Sequence, residues 1–391
     1  MLSGKDILVF SDEYGRHPCS CQHIMRQFMP NNRVLWVNTI GMRNPQFSLY
    51  DFKRSIEKIK GWMGKGRHRQ SERIENLTVI NPVMIPYNNF KFIRNRNKES
   101  VVRTVLDKMS EMGIQKPIFM ATLPNAADYV GAFGESVTVY YCVDDFTHWP
   151  GVNQRLISDM EEQLLVKSDF ICASAEELCN IKERNSVRPF LLPHGVDYDH
   201  FANATKSAPN LFPDIRRPVI GFFGAISPWL DFDLIVDLAR NNSSWSFVFV
   251  GPADVDITKL ASIPNVHALG KVSYHQLPNY AANFDVALIP FLVNDLTISV
   301  NPLKLLEYLA CGLPVVSTPL PEVKKYEDIV YLADSSEKFA EAIELALAED
   351  SPLLRQNRMQ TARSRSWQAV SEILSNEIES VISSKIHEGD K

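Results

Sequence analysis

The stretch Asn301-Pro302-Leu303-Lys304-Leu305-Leu306-Glu307-Tyr308-Leu309-Ala310-Cys311-Gly312-Leu313-Pro314-Val315-Val316-Ser317-Thr318 encodes a capped helix, a tight turn and a buried strand in succession. Asn301 is a favourable N-cap, and Pro302 suits the first helical position, where its missing N–H is not needed. Gly312 suits the left-handed residue that ends a helix. Val315 and Val316 are apolar at consecutive positions, the mark of a strand covered on both faces in a parallel sheet. A helix feeding such a strand is half of a βαβ unit, which predicts an α/β protein. Lys304 and Glu307, three apart, share one face near the helix N-terminus, where free backbone N–H groups and the helix dipole favour an anion. A diphosphate suits Lys304, and Glu307 is placed to accept hydrogen bonds from ribose hydroxyls. The alternative is a surface Lys–Glu pair worth a few tenths of a kcal/mol.

The same alternation of β-rich runs and helical patterns extends in both directions. Asp6–Phe10, Val34–Asn38, Leu77–Ile80, Ile118–Ala121, Val137–Cys142, Phe170–Ala173 and Phe190–Leu192 form one series. Val219–Phe223, Ser246–Val250, Val266–Leu269, Val286–Pro290, Val315–Ser317 and Ile329–Tyr331 form a second. Between them, Pro193–Asp214 has no sustained period and reads as a linker. Two doubly wound, Rossmann-like domains are expected, residues 1–195 and 196–365, facing a cleft along the carboxyl ends of their strands. Residues 366–391 carry Trp367, Val370, Ile373, Leu374, Ile378 and Val381 at three- and four-residue steps, an amphipathic helix with one face to bury.

The chain has 391 residues, 45% apolar and 22% charged, a composition that excludes a disordered, collagenous or coiled-coil protein. Residues 1–195 hold 25 Lys and Arg against 21 Asp and Glu, leaving 16 against 25 for the rest, so a net +4 half precedes a net −9 half. The basic half points to anionic ligands or a membrane surface. No apolar run has the roughly 18–20 residues of a membrane span, and Ile7–Phe10 is too short for a signal peptide, so a cytoplasmic protein is expected. Six scattered cysteines predict free thiols.

The block 301–318 resembles the donor-nucleotide motif of GT-B glycosyltransferases of the group-4-like family, glycosyl transferases group 1, with its Lys-x-x-Glu helix followed by Ala-x-Gly-x-Pro-Val-Val. Leu192-Pro193-His194-Gly195-Val196-Asp197 is similar to the family's interdomain Pro-Asn-Gly-Val-Asp element. Val219–Gly224 is similar to the first strand and glycine turn of the donor domain, and the Trp367 helix to the one that crosses back to the N-terminal domain. The resemblance implies a glycosyltransferase that moves a sugar from a nucleoside-diphosphate sugar to a saccharide or lipid-linked acceptor in surface-polysaccharide assembly. It implies retention at the anomeric carbon and no metal or other cofactor. On this reading Gly224, Ser299, Asn301, Lys304 and Glu307 hold the donor, and Lys304 stabilises the departing diphosphate. Two departures stand out: Ser299 occupies the position eight before Glu307 where the family usually carries Glu, and Gly224–Asp231 lacks the usual Arg and Lys. Three sources could make up that deficit, and the sequence leaves them open: backbone N–H groups around Gly224–Ser227, the helix end at Asn301–Leu303, or a basic residue from the other domain; upstream, the amides of Thr297–Val300 are further candidate donors to a phosphate or sugar.

In the first half, Tyr140-Tyr141-Cys142-Val143-Asp144-Asp145-Phe146-Thr147-His148-Trp149 places two carboxylates at the end of a strand. Asp144 and Asp145 are the catalytic candidates, with a strand-end Asx turn or helix cap as the alternative. The stretch is similar to one in the teichuronic-acid-type subset of the family, where a Glu like Glu161 follows. The first loop supplies acceptor-site candidates Glu13, Tyr14, Arg16 and His17, with Tyr14 available to stack on a sugar face. His17, Cys19, Cys21 and His23 do not have zinc-site spacing, so no metal is expected. Lys53–Arg73 holds eight Lys or Arg interleaved with Ile56, Ile59, Trp62 and Met63, a pattern for peripheral membrane contact at the inner leaflet or, alternatively, for an ordinary solvated loop. No nucleic-acid motif accompanies these charges. The rival functions are a nucleotide-sugar epimerase of the same fold and a non-catalytic nucleotide-sugar-binding or scaffold protein.

Overall fold

The computed structural model describes residues 1–16, 18–39, 74–85, 88–204, 207–349 and 351–389. The basic segment Lys53–Arg73 and the acceptor candidate His17 lie outside the described residues. The chain divides into two compact units. One comprises Met1–Ser174, Leu178–Leu192 and Ser371–Lys391, the other Ala175–Glu177 and Pro193–Val370.

The first unit is built on a sheet of β1 (Asp6–Ser11), β2 (Arg33–Asn38), β3 (Leu77–Ile80), β4 (Ile118–Ala121), β5 (Val137–Cys142), β6 (Phe170–Ala173) and β7 (Phe190–Leu191). Its spatial order is β3-β2-β1-β4-β5-β6-β7, every neighbour parallel. The second carries β8 (Val219–Phe223), β9 (Ser246–Val250), β10 (Val266–Gly270), β11 (Val286–Ile289), β12 (Val315–Ser317) and β13 (Tyr331–Leu332) in the order β10-β9-β8-β11-β12-β13, again parallel. Helices cover both faces, which is why the central strands are buried at successive residues: every side chain of β5, β8, β9 and β11 is buried. Each fully buried large apolar side chain contributes roughly 1.5–3 kcal/mol relative to exposure.

The strand order reverses between β1 and β4 in the first sheet and between β8 and β11 in the second, and open α/β sheets bind ligands at the carboxyl ends flanking such reversals. In the second unit the loops after β8 and β9 are shaped by close backbone approach. Gly224, φ +131°, follows β8, and Gly251, φ +155°, follows β9. A Cβ on Gly251 would lie 1.9 Å from the Gly224 carbonyl oxygen, so Gly251 is tied to glycine by space as well as by conformation, and Gly224 by its conformation.

The structure departs from the sequence reading at three places. Residues 193–214, read as a linker, contain the helix Tyr198–Ala204, whose Phe201 is fully buried in the core of the second unit; seven residues are too few to display a period. The last strand is Tyr331–Leu332, one to two residues later than expected. The terminal helix runs Trp367–Gly389, and its Trp367, Val370, Leu374 and Ile378 are buried, whereas Ile373 is 43% exposed and faces away. Its first turn belongs with the second unit and the remainder, from Ser371, with the first. At that turn Val196 donates its N–H to the Arg365 carbonyl and accepts from Trp367, while the indole of Trp367 covers Gly195 so closely that a Cβ would approach within 2.9 Å.

Candidate functional site

The helix Leu303–Ala310 is preceded by Pro302, which acts as its N-cap residue. This corrects the expected frame by one position. The Pro302 carbonyl accepts the first bond of the helix, from Leu305 N–H (3.0 Å), so Asn301 lies outside it and supplies no side-chain cap. At the other end Cys311 is the last half-helical residue and Gly312, φ +75°, the left-handed one. Gly312 N–H reaches the Leu309 carbonyl (2.9 Å) and Leu313 N–H the Tyr308 carbonyl (3.1 Å), a Schellman closure. The helix is held to the sheet by Tyr308, whose hydroxyl accepts from the Phe223 N–H (2.9 Å) at the end of β8.

That anchoring places Lys304, in the first turn, over the loop after β8. A Cβ on Gly224 would lie 3.1 Å from Lys304 Cε and 3.5 Å from Nζ, so the lysine end packs directly against this glycine. The ammonium sits between two aromatic faces, 4.7 Å from the ring centre of Phe291, which follows β11, and 5.4 Å from that of Phe222 in β8. Cation–π attraction of this kind offsets part of the desolvation, on the order of 0.5–2 kcal/mol. Lys304 thus stands at the strand-order reversal of the second sheet. Burial pushes its pKa down to about 8, only partly opposed by the charge of Glu307. Burial pushes Glu307 up to about 7, with Lys304 opposing and Asp197 adding to the rise. No ion pair joins either residue to another among the described residues. A lysine and a glutamate that are partly desolvated yet unpaired are groups waiting for polar partners.

The surrounding amides supply fewer donors than expected. In the turn after β8, Gly224 N–H is taken by the Val250 carbonyl (2.9 Å) and Ile226 N–H by the Pro252 carbonyl (2.8 Å), because this turn pairs with the loop after β9. Ala225 and Ser227 N–H keep no backbone partner among the described residues. The Ser227 hydroxyl donates to Asp254 (3.0 Å). In the loop before the helix, Thr297 and Ile298 N–H both go to the Asn294 carbonyl and Val300 N–H to that of Thr297. The Thr297 hydroxyl donates to the Leu292 carbonyl. Ser299, 1% exposed in the short turn Thr297–Ser299, keeps no hydrogen-bond partner for its N–H among the described residues. Phe222, Phe291 and Asp197 are the site residues that sequence reasoning missed. Their signal was topological, since each becomes relevant only once β8, β11 and the helix are seen side by side.

In the first unit the two carboxylates after β5 divide their labour. Asp145 has the geometry of the alternative reading, a cap: its Oδ1 accepts from the Thr147 hydroxyl (2.7 Å) and N–H (3.4 Å) over the short turn Phe146–His148. It also belongs to a buried ionic cluster. The Lys182 ammonium donates to Asp145 Oδ1 (3.1 Å) and Glu161 Oε2 (2.9 Å), the Tyr140 hydroxyl donates to Glu161 Oε1 (2.7 Å), and Asp145 Oδ2 meets His148 Nδ1 at 2.7 Å. Burial acts to raise the Asp145 pKa, but Lys182 and the donated hydrogen bonds outweigh it and leave the carboxyl below its usual range. Asp144 is different. It accepts from the Trp149 indole N–H (3.0 Å) and the Asp145 N–H (2.8 Å), and burial lifts it to about 6 against those bonds.

In the loop after β1, Glu13 and Arg16 are exposed. Tyr14 is not the free stacking platform that its sequence suggests. Its ring packs edge-on against Trp36 (5.1 Å), its N–H binds Asn38, and its hydroxyl is buried with no partner among the described residues. Cys19 and Cys21 are free thiols whose pKa values burial raises.

The structure thus sets a half-buried lysine and glutamate at the strand-order reversal of one of two parallel-sheet units, and comparison with known proteins shows what the chain is similar to. Residues 217–349 match the family model for Glycosyl transferases group 1, so the expected resemblance is borne out over the second unit. Among known sequences, the chain is 30% identical over 229 residues to a protein named as a teichuronic acid biosynthesis glycosyltransferase, TuaH of Bacillus subtilis (strain 168). The match covers 55% of this chain and 57% of that one. Among solved structures, sucrose-phosphate synthase of Thermosynechococcus elongatus superposes with a TM-score of 0.71 at 13% identity, covering 97% of this chain and 100% of its own. Alr3699/HepE of Anabaena, in complex with UDP and glucose, does so with a TM-score of 0.65 at 14% identity, covering 96% and 99%. The fold is GT-B, as the sequence led us to expect.

Proposed function

We propose that this protein is a glycosyltransferase that moves a sugar from a nucleoside-diphosphate sugar to a saccharide or lipid-linked acceptor in cell-surface polysaccharide assembly. The observation that carries the reading is the unpaired Lys304–Glu307 pair at the first turn of a helix, over the glycine turn of a parallel sheet, inside the segment that matches the glycosyltransferase family model. UDP-sugar complexes among the structural neighbours and the teichuronic-acid name of a relative support it. In this account Lys304 meets the diphosphate and stabilises the charge that grows on it as the glycosidic bond breaks. The orphan N–H groups at the helix start and those of Ala225, Ser227 and Ser299 add donors without competing charge. Glu307, poised near pH 7, accepts from ribose hydroxyls.

The acceptor enters beside Asp144, whose carboxyl orients the attacking hydroxyl, with Asp145 holding the strand end in place. Transfer proceeds with retention and without a metal ion, the departing phosphate taking the acceptor proton. No described helix is long and apolar enough to cross a membrane. Independently of that, the proposal brings the protein to the inner membrane face through the basic sequence Lys53–Arg73, whose charges suit anionic headgroups. The test is transfer from labelled UDP-, GDP- and dTDP-sugars to lipid-linked saccharides, with the anomeric configuration of the product read by NMR. An inverted product would remove the retaining assignment. Sugar rearrangement with no acceptor present would replace transferase by epimerase.

A further inference from the structure

The buried cluster of Asp145, Lys182 and Glu161 floors an open cavity of about 220 Å³, whose walls include His148, Ser158, Glu162 and Arg184. The space is smaller than the roughly 300–1,000 Å³ of drug-sized pockets, so it accommodates one small ring. Its charges are already spoken for. Lys182 is shared between Asp145 and Glu161, and Arg184 Nε pairs with Glu162 at 2.8 Å. An anion would have to break one of these pairs in the presence of three carboxylates, and among the described residues no group of three metal-ligating side chains is arranged for a cation. What the walls still offer is a set of alternating donors and acceptors: the Ser158 hydroxyl, the outer faces of the Glu162–Arg184 pair, and His148.

The imidazole is oriented for this use. The ionised Asp145 Oδ2 can only accept, so His148 Nδ1 donates to it at 2.7 Å, and in the neutral imidazole this leaves Nε2 as an acceptor. Nε2 makes no hydrogen bond among the described residues, and the side chain is 38% exposed. A sugar hydroxyl both donates and accepts, and a ring bearing several of them satisfies such a wall without net charge.

We propose that this cavity is a subsite for a neutral saccharide ring, with His148 Nε2 accepting from one of its hydroxyls and Asp145 acting as the positioning residue for His148. The inference rests on the glycosyltransferase reading for the use made of that sugar, as part of the acceptor. It stands apart from the Lys304 site in every residue. Saturation-transfer-difference NMR of the full chain with a panel of methyl hexosides tests it, with inorganic phosphate followed by ³¹P line broadening as the anionic control. The variants are Ser158→Trp, which fills the cavity, and His148→Gln, which removes the oriented acceptor with little change in volume. Their folding is checked by thermal melting and by affinity for UDP.

Saturation transfer to at least one hexoside is expected in the wild type. It should be lost in Ser158→Trp and weakened about tenfold in His148→Gln, with UDP affinity unchanged in both. If no hexoside receives saturation, if transfer persists in Ser158→Trp, or if phosphate alone binds, the subsite is refuted. Failure of the wild type to bind any nucleotide would instead refute the donor reading, so the two failures are distinguishable.

Discussion

The proton on Lys304 gives the donor site a measurable signature. In the free protein burial brings its pKa to about 8. A diphosphate at Nζ supplies the opposite charge that burial withheld and returns the pKa toward or beyond the ordinary value of about 10.4. At pH 8 the free lysine is therefore half protonated and the bound one fully so, and binding takes up about 0.5 proton. From pH 7 to pH 9 the protonated fraction of the free protein falls about tenfold, and affinity falls with it. Titration calorimetry at pH 8 in two buffers of different ionisation enthalpy reads the proton number directly. The ligand is UDP, or whichever nucleoside diphosphate stabilises the fold. Lys304→Ala removes that uptake and weakens binding by ~1.5–3 kcal/mol, the range for a charge-assisted hydrogen bond, or about 10- to 150-fold. Ionisation of the nucleotide is common to both proteins, so the difference reports Lys304 together with the Glu307 carboxyl whose pKa it lowers. Equal proton uptake in wild type and variant would refute the placement of the diphosphate at Lys304.

Three further outcomes follow from the packing and the titrating groups. Gly251→Ala, whose new Cβ would meet the Gly224 carbonyl, should lose about 1–3 kcal/mol or more in urea unfolding, and a neutral result would mean the turn after β8 relaxes freely. Lys182→Met leaves Asp145 and Glu161 buried without their cation and should destabilise by about 3–5 kcal/mol at pH 8. The orphaned carboxyls then have folded pKa values above their unfolded ones, so part of the loss should be recovered at pH 5, and a pH-independent loss would contradict the ionic account. Asp144 has its folded pKa raised from 3.8 to about 6, so its charged form weakens the fold above pH 6 and the penalty fades between pH 6 and pH 4. Asp144→Asn should therefore be at least as stable as wild type at pH 8 in denaturant melts, while losing the acid limb near pH 6 in its rate of transfer; a limb that survives would assign it to another group.

The sequence made the strands legible because a parallel sheet covered on both faces writes itself as consecutive apolar residues, as in Val137–Cys142 and Ser246–Val250. The end of the helix at Gly312 was equally plain, since a left-handed residue there has one cheap solution. Its start was misplaced by one residue, because Asn301 and Pro302 are both acceptable caps and only the backbone decides between them. Lys304 and Glu307 were readable from their spacing. Their aromatic walls, Phe222 and Phe291, were not, because those residues lie 69 positions apart in the chain and meet only through the strand order. The cluster of Asp145, Glu161 and Lys182 was hidden for the same reason. A lone lysine in the helix Glu176–Lys182 reads as solvent-facing until the sheet brings β5 and the helix Gln154–Lys167 beside it.

The central claim is that the Lys304–Glu307 recess holds a nucleoside diphosphate sugar. A thermal-shift screen of UDP, GDP, dTDP and their sugars against wild type, Lys304→Ala and Glu307→Ala tests it most directly, since a ligand that binds only the folded state stabilises it by mass action. The account predicts that one nucleotide series raises the wild-type melting temperature and that both substitutions abolish or sharply reduce the rise. The same rise in all three proteins, or none with any nucleotide, would contradict it.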